Sequence, residues 1–234
     1  MIKIILWDID GTLLNFNIAE RTAMRECFSL FQLGECTDAM LAGYSAINAE
    51  YWRRLELGEV SKAQVMTGRF RDFFQAEQIP FDDVESFNQN YQIQLGNTIC
   101  FMDDAFSLIQ ELQPYVKQYA VTNGALAAQK RKLQKSGLDK LLDGAFISDE
   151  IGAEKPSQAF FNHVLHTIDH PNRREILIVG DSLSSDMKGG SLAGIQCCWY
   201  NPHNKNNESE ISVDYTIQNL NQIKTMITDQ GQSL

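Results

Sequence analysis

The hydrophobic positions fall into two regimes. A short apolar and β-branched run, Ile2-Lys3-Ile4-Ile5-Leu6-Trp7, ends in the turn residues Asp8-Ile9-Asp10-Gly11-Thr12, which predicts a buried strand delivering carboxylates at its C-terminal end. From Ile18 to Gln94 no comparable strand signal occurs. Apolar residues there recur at helical spacing, as in Leu41, Tyr44, Ile47 and Tyr51, or Val65, Phe70 and Phe73 with Arg69 beside them. Gly34, Gly58 and Ile79-Pro80-Phe81 divide this stretch into about four helices of ordinary length.

Beyond Gly96 helices and strands alternate. The pattern predicts a helix over Asp103–Pro114, with Asp103 or Asp104 as its N-cap, a strand over Lys117–Thr122, and a helix over Ala125–Ser136 stopped by Gly137. A short strand over Ala145–Ser148, a helix over Ser157–Ile168 and a strand over Glu175–Val179 follow. A helix over Ser185–Ala193, a strand over Gln196–Tyr200, a weak strand near Tyr215 and a last helix complete the series, with a frayed polar end from Gly231. Such alternation predicts an α/β fold, a doubly wound parallel sheet with helices on both faces. The helical stretch interrupts it after the first strand, so residues 1–16 and 96–234 are read as the core domain and 17–95 as an inserted all-helical cap.

Composition narrows the partners. The 234 residues carry 30 Asp plus Glu against 20 Lys plus Arg, a formal net charge of −10. That balance argues against a nucleic acid polymer or an anionic membrane surface as partner, while a local site could still bind a small phosphorylated metabolite. The segment before Asp8 is too short and wrongly flanked for a signal peptide, and no apolar stretch approaches the ~18 residues of a membrane span. Cys27, Cys36, Cys100, Cys197 and Cys198 show no C-x-x-C spacing and read as reduced thiols. A cytoplasmic protein, monomeric or weakly self-associating, is the expectation.

In open parallel sheets ligands bind beyond the carboxyl ends of the strands. Those ends carry Asp8 and Asp10, Thr122-Asn123-Gly124, Lys155-Pro156 after the third strand, and Gly180-Asp181 followed by Asp186. Carboxylates gathered at one edge repel unless a cation neutralises them, and hard oxygen donors without His or Cys favour Mg²⁺. Two residues apart on an extended strand, Asp8 and Asp10 share a face, where one can be nucleophile and the other acid or base.

Taken in order, Asp8-Ile9-Asp10-Gly11-Thr12-Leu13, Thr122-Asn123-Gly124, Lys155-Pro156 and Gly180-Asp181 with Asp186 resemble the four motifs of the haloacid dehalogenase-like hydrolases, over Ile2 to Tyr200. Asn48, Trp52, Glu59, Arg69-Phe70, Gly189-Gly190 and Cys198-Trp199-Tyr200-Asn201 are similar to the YjjG-type nucleotidase branch of that superfamily. The resemblance implies a Mg²⁺-dependent phosphatase acting on nucleoside 5′-monophosphates through an aspartyl-phosphate on Asp8, with Asp10 as acid and base. It implies Mg²⁺ held by Asp8, the Asp10 backbone carbonyl and Asp181, with Asp186 behind them. Thr122 and the amides of Gly11, Asn123 and Gly124 would bind phosphate, and Lys155 would add a fixed positive charge.

Other readings stand beside this one. A sugar-phosphate phosphatase or phosphomutase could use the same motifs, and a nucleotide-binding module could keep the fold without catalysis. A dehalogenase has no use for Asp10 or a metal. His163, His166 and His170 read as a polar helix face followed by a loop, and Lys130, Arg131, Lys132 and Lys135 as a solvated helix face. The cap aromatics Tyr44, Tyr51, Trp52, Phe70, Phe73 and Phe74 read mainly as core, with Trp52 and Arg69 the candidates for contacting a nucleobase.

Overall fold

A computed structural model describes residues 1–169, 172–207 and 209–228; His170 and the polar end from Gly231 lie outside the described residues. The chain divides into two compact units, one of residues 1–16 and 99–234 and one of residues 17–98.

The first unit is built on a parallel sheet of six strands among the described residues: β1 (Ile4–Trp7), β2 (Lys117–Thr122), β3 (Gly144–Ile147), β4 (Ile176–Gly180), β5 (Gln196–Tyr200) and β6 (Tyr215–Ile217). Their order is β3-β2-β1-β4-β5-β6, so β1 lies inside the sheet, and the winding reverses between β1 and β4. Ile4 pairs with Lys117 on one side and Ile176 on the other, which brings the carboxyl ends of β1, β2 and β4 level.

Both faces are buried, which is why these strands read as continuous apolar runs. Ile5 and Trp7 of β1, Leu177 and Val179 of β4, and Cys198 and Tyr200 of β5 enter the core on one face. Ile4 and Leu6, Ile176 and Ile178, and Cys197 and Trp199 enter the other. The period of two thus puts one thiol of the Cys197-Cys198 pair into each core, and burial pushes both up to about 12. All five cysteines are free thiols.

After four helices in the second unit come α5 (Ala105–Leu112), α6 (Leu126–Ser136), α7 (Ser148–Ile151), α8 (Gln158–Ile168) and α9 (Lys188–Ala193), which lie between strands, and α10 (Ile223–Thr228), which follows β6. Three details depart from expectation. Asp104 stands at the N-cap of α5 in the left-handed region without a side-chain capping bond. Asp103 instead accepts from the Tyr200 hydroxyl at 2.8 Å and the Leu220 amide at 3.1 Å, a tertiary role that no local signal encodes. The helix expected from Ser185 is a wide turn over Leu183–Met187, in which the Met187 amide donates to the Ser182 carbonyl, followed by the short α9.

The second unit holds α1 (Phe16–Leu30, whose first residue belongs to the sheet unit), α2 (Asp38–Glu56), α3 (Lys62–Ala76) and α4 (Val84–Asn97). Thr37, Ser61 and Asp83 cap α2, α3 and α4 through their side-chain oxygens. Phe28, Tyr44, Phe70, Phe73, Phe74, Phe87 and Tyr91 form its buried aromatic core, with the Tyr44 and Phe70 rings stacked at 5.3 Å. Among the described residues no helix is long and apolar enough to cross a membrane.

The approach of α9 to the sheet depends on Gly190, where a Cβ would lie 2.6 Å from Ile178 Cγ2 and 2.8 Å from Cys197 Sγ. Alanine there would gain about 1 kcal/mol of helix propensity, but overpacking of a dense core costs about 1–3 kcal/mol. Gly190→Ala is therefore expected to lower the midpoint of urea unfolding; an unchanged midpoint would show that the two neighbours give way freely.

Candidate active site

The residues after β1, β2 and β4 and between α7 and α8 converge at the carboxyl edge of the sheet, where the winding reverses. Asp8 follows β1 directly, and its amide donates to the Val179 carbonyl at 2.9 Å, so ladder pairing with β4 carries one residue past the strand. Its carboxylate is almost wholly buried and takes a bond on each oxygen: Thr12 Oγ1 donates to Oδ2 at 3.0 Å and Lys155 Nζ to Oδ1 at 2.7 Å.

Lys155 is the hub. Its buried ammonium donates to Asp8 Oδ1, to Asp186 Oδ1 at 2.6 Å and to the Val121 carbonyl at 2.8 Å, which uses all three protons. Burial alone would lower this ammonium, but Asp186 and Asp8 overcome that penalty and hold it above the ordinary lysine value. The Asn123 side chain fixes the lysine's backbone, donating from Nδ2 to the Lys155 carbonyl at 2.8 Å and accepting from the Lys155 amide at 2.8 Å. Asn123 thus locks the loop after α7 onto the end of β2.

Asp186, in the wide turn after β4, is buried and also accepts from the Ser182 amide at 3.2 Å. Trp199 Nε1 on β5 donates to the Asp181 carbonyl at 2.9 Å, which fixes the start of that turn. Glycines make room for the acids: a Cβ on Gly180 would lie 2.2 Å from Asp186 Oδ2, and one on Gly11, at φ +93°, would lie 2.6 Å from Asp181 Oδ2.

Carboxylate oxygens of Asp8, Asp181 and Asp186 lie within 4.8 Å of one another. Burial, then repulsion by Asp186, pushes the Asp8 carboxyl up to about 7 against the pull of Lys155. Asp181 keeps solvent access at the rim, yet the loss of surrounding water, followed by the charges of Asp8 and Asp186, holds it well above the usual carboxylate range. One ammonium does not balance three acids, and an all-oxygen donor set of this kind suits a hard divalent cation.

The expected phosphate-binding residues stand beside this cluster. Thr122 is buried at the end of β2, and its Oγ1 accepts from the Gly124 amide at 3.0 Å. The Gly11 amide donates to the Leu14 carbonyl at 2.8 Å. Helix α6 begins at Leu126, with Ala125 at its N-cap.

Asp10, half-buried, is held by two side chains that the sequence did not single out. Gln129 Nε2 donates to Asp10 Oδ2 at 2.6 Å, and Lys132 Nζ pairs with Oδ1. The reading of Lys132 as part of a solvated face is corrected: Lys130, Arg131 and Lys135 are exposed, whereas Lys132 is buried. Its spacing of three from Gln129 puts both on the inner face of α6, a phase that a basic run conceals.

Trp52 and Arg69 belong to the helical unit and not to this cluster. Trp52 is half-buried on α2. Arg69 is buried and committed to Asn48 Oδ1 at 2.8 Å and Asn88 Oδ1 at 3.2 Å, with its guanidinium 4.8 Å from the Phe70 centroid and 5.1 Å from that of Tyr91. Asn48 Nδ2 in turn donates to the buried Glu20 at 2.8 Å, and burial raises that carboxyl above its ordinary value despite bonds from Ser45 and Asn48.

With this geometry in place, the haloacid dehalogenase-like hydrolase family model matches residues 2–194. The chain is 35% identical to the HAD-hydrolase YfnB of Bacillus subtilis over 94% of this chain and 93% of that one. A magnesium-bound crystal structure of YfnB superimposes with a TM-score of 0.91, covering 97% of this chain and 99% of the other. It is also 31% identical to the pyrimidine 5′-nucleotidase PynA of Streptococcus pneumoniae (92% and 90% covered) and 27% to the pyrimidine 5′-nucleotidase YjjG of Escherichia coli (95% and 96%).

Replacing Lys155 by Met would leave buried carboxylates facing one another. The variant is expected to lose about 3–5 kcal/mol of unfolding free energy in chelator, measured by urea denaturation at neutral pH. Folded Asp8 binds its proton more tightly than the unfolded chain, so stability falls as pH rises from the ordinary carboxylate value through about 7. Without Lys155 that window extends upward, and the deficit should be larger at pH 8 than at pH 5.

Proposed function

Because this chain belongs to the haloacid dehalogenase-like hydrolase family, we propose that it is a phosphatase of small phosphomonoesters, with nucleoside 5′-monophosphates as its substrates and an aspartyl-phosphate as its intermediate. The observation that carries this reading is the Lys155 ammonium bound between Asp8 and Asp186 at the sheet's carboxyl edge, with Asp10 two residues beyond Asp8. The likeness to two pyrimidine 5′-nucleotidases over nine-tenths or more of the chain supports the substrate class.

In this reading an Asp8 oxygen attacks phosphorus in line with the departing ester oxygen. Thr12 and Lys155 set the plane of that carboxylate, and Lys155 keeps a positive charge beside the incoming phosphoryl group. The Thr122 hydroxyl and the Asn123 amide donate to the phosphoryl oxygens, while the Gly124 amide is spent on Thr122 Oγ1. Asp10 gives its proton to the departing ribose oxygen, then takes one from the water that cleaves the aspartyl-phosphate, so one carboxyl serves both halves. Asp8, Asp181 and the Asp10 carbonyl, with Asp186 behind them, would hold Mg²⁺, which when bound offsets the negative charge on the phosphoryl oxygens. The helical unit, with Trp52 as the proposed specificity residue, would select the leaving group; Arg69, expected to share that role, is instead spent on Asn48 and Asn88 in the interior of that unit.

A phosphate-release screen over nucleoside 5′-monophosphates and sugar phosphates tests reaction, cofactor and substrate class together. Rapid release from nucleotides, lost in chelator and restored by Mg²⁺, is expected. Asp8→Asn should fall by roughly 10³-fold or more in kcat with its circular dichroism spectrum intact. An undiminished Asp8→Asn variant would remove the nucleophile assignment, and preferential release from sugar phosphates would reassign the substrate.

A further inference from the structure

We propose that Gln129 and Lys132 are positioning residues that hold the Asp10 carboxyl group for proton transfer to the leaving oxygen. The inference rests on the assignment of Asp10 to that step. Each donor takes a different oxygen of Asp10, Gln129 Nε2 on Oδ2 at 2.6 Å and Lys132 Nζ on Oδ1. A carboxylate held at both oxygens cannot rotate about its last bond without losing one of them, and its remaining lone pairs mark the only places a proton can sit.

The environment favours a positioning role over a folding role. Gln129 and Lys132 are each 1% exposed, whereas Asp10 keeps 21% of its side chain accessible. A half-buried carboxylate keeps water on its accessible side, so the larger burial cost falls on Lys132, whose Nζ also lies 5.6 Å from the Phe16 ring centroid. Gln129 Oε1 is buried without a hydrogen-bond partner. An apolar side chain of the same length would avoid that penalty, so the amide is retained for its N–H groups.

The backbone is shaped around the contact. A Cβ on Gly124 would lie 2.0 Å from Gln129 Nε2 and 2.7 Å from its Cδ, so the glycine after Asn123 leaves the space that Gln129 crosses to reach Asp10. The segment carrying Asn123, which clamps the Lys155 backbone, thereby also carries the helix that clamps Asp10.

Chemically, an Asp8 oxygen forms a bond to phosphorus while the P–O bond to the leaving group breaks, and the electron pair on the departing oxygen takes the Asp10 proton. Water then attacks phosphorus, Asp10 takes a proton from it, and the bond to Asp8 breaks, which releases phosphate and restores both acids. Gln129 and Lys132 form no bond to substrate. They hold Asp10 in one place through both transfers.

Only the proton transfer distinguishes an alkyl from an aryl leaving group. Nucleotide hydrolysis needs the acid, whereas p-nitrophenolate departs as a stable anion, and kcat/KM reports the first transfer to Asp8 for either substrate. Gln129→Leu and Lys132→Met are expected to lower kcat/KM for a nucleoside 5′-monophosphate by roughly 10–100-fold through kcat, with KM little changed, and for p-nitrophenyl phosphate by less than about threefold. Lys132→Arg should recover most of the loss, and Asp10→Asn should show the same selectivity more strongly.

Equal losses on both substrates, or none on the nucleotide, alongside a selective Asp10→Asn would overturn the positioning role and leave the acid assignment standing. An unselective Asp10→Asn would overturn that assignment and the positioning role with it. Should Lys132→Met not fold, judged by circular dichroism, Gln129→Leu decides the question.

Discussion

The interaction on which the site depends is the buried ammonium of Lys155. It reaches the acid after β1, the carbonyl at Val121 in β2 and the acid in the turn after β4, from a loop that follows β3. Four parts of the chain far apart in sequence are tied through three protons. A buried charge is tolerable only when paired and hydrogen-bonded, so the converse also holds: without Lys155 the acids would be a source of repulsion in the middle of the fold.

Close approach is what lets the acids gather. Gly11, Gly124 and Gly180 each stand where a Cβ would strike Asp181, Gln129 or Asp186. The glycines of the three loops are therefore matched to particular carboxylates or to the group that holds one, and Asn123 and Trp199 anchor the loops from behind. Asp8 and Asp10 end in different surroundings for the same reason. The first is enclosed and bound to Lys155, while the second sits at the rim between Gln129 and Lys132.

In the helical unit a polar chain, with Glu20, Asn48 and Arg69 buried and Asn88 half-buried at its end, runs through an otherwise aromatic interior. Asn48 accepts from the guanidinium and donates to the carboxylate, so it joins two charges that do not touch in the hydrogen-bond chain. Arg69 Nε is buried without a hydrogen-bond partner, so the network is satisfied only in part.

The sequence by itself determined the sheet, its parallel winding and the motif residues, because short continuous apolar runs with turn residues at their ends are local signals. Asp8, Asp10, Thr122, Lys155, Asp181 and Asp186 were legible because each sits at a strand end or in a short motif. What only the tertiary structure decided were contacts between residues 97 to 122 positions apart. Gln129 and Lys132 lie within a basic run whose inner face shows only once α6 is docked, and Asp103 resembles an N-cap until Tyr200 and Leu220 claim its carboxylate. Spacing along the chain fixes which residues share a face; which face is buried, and against which partner, is set by packing of the whole.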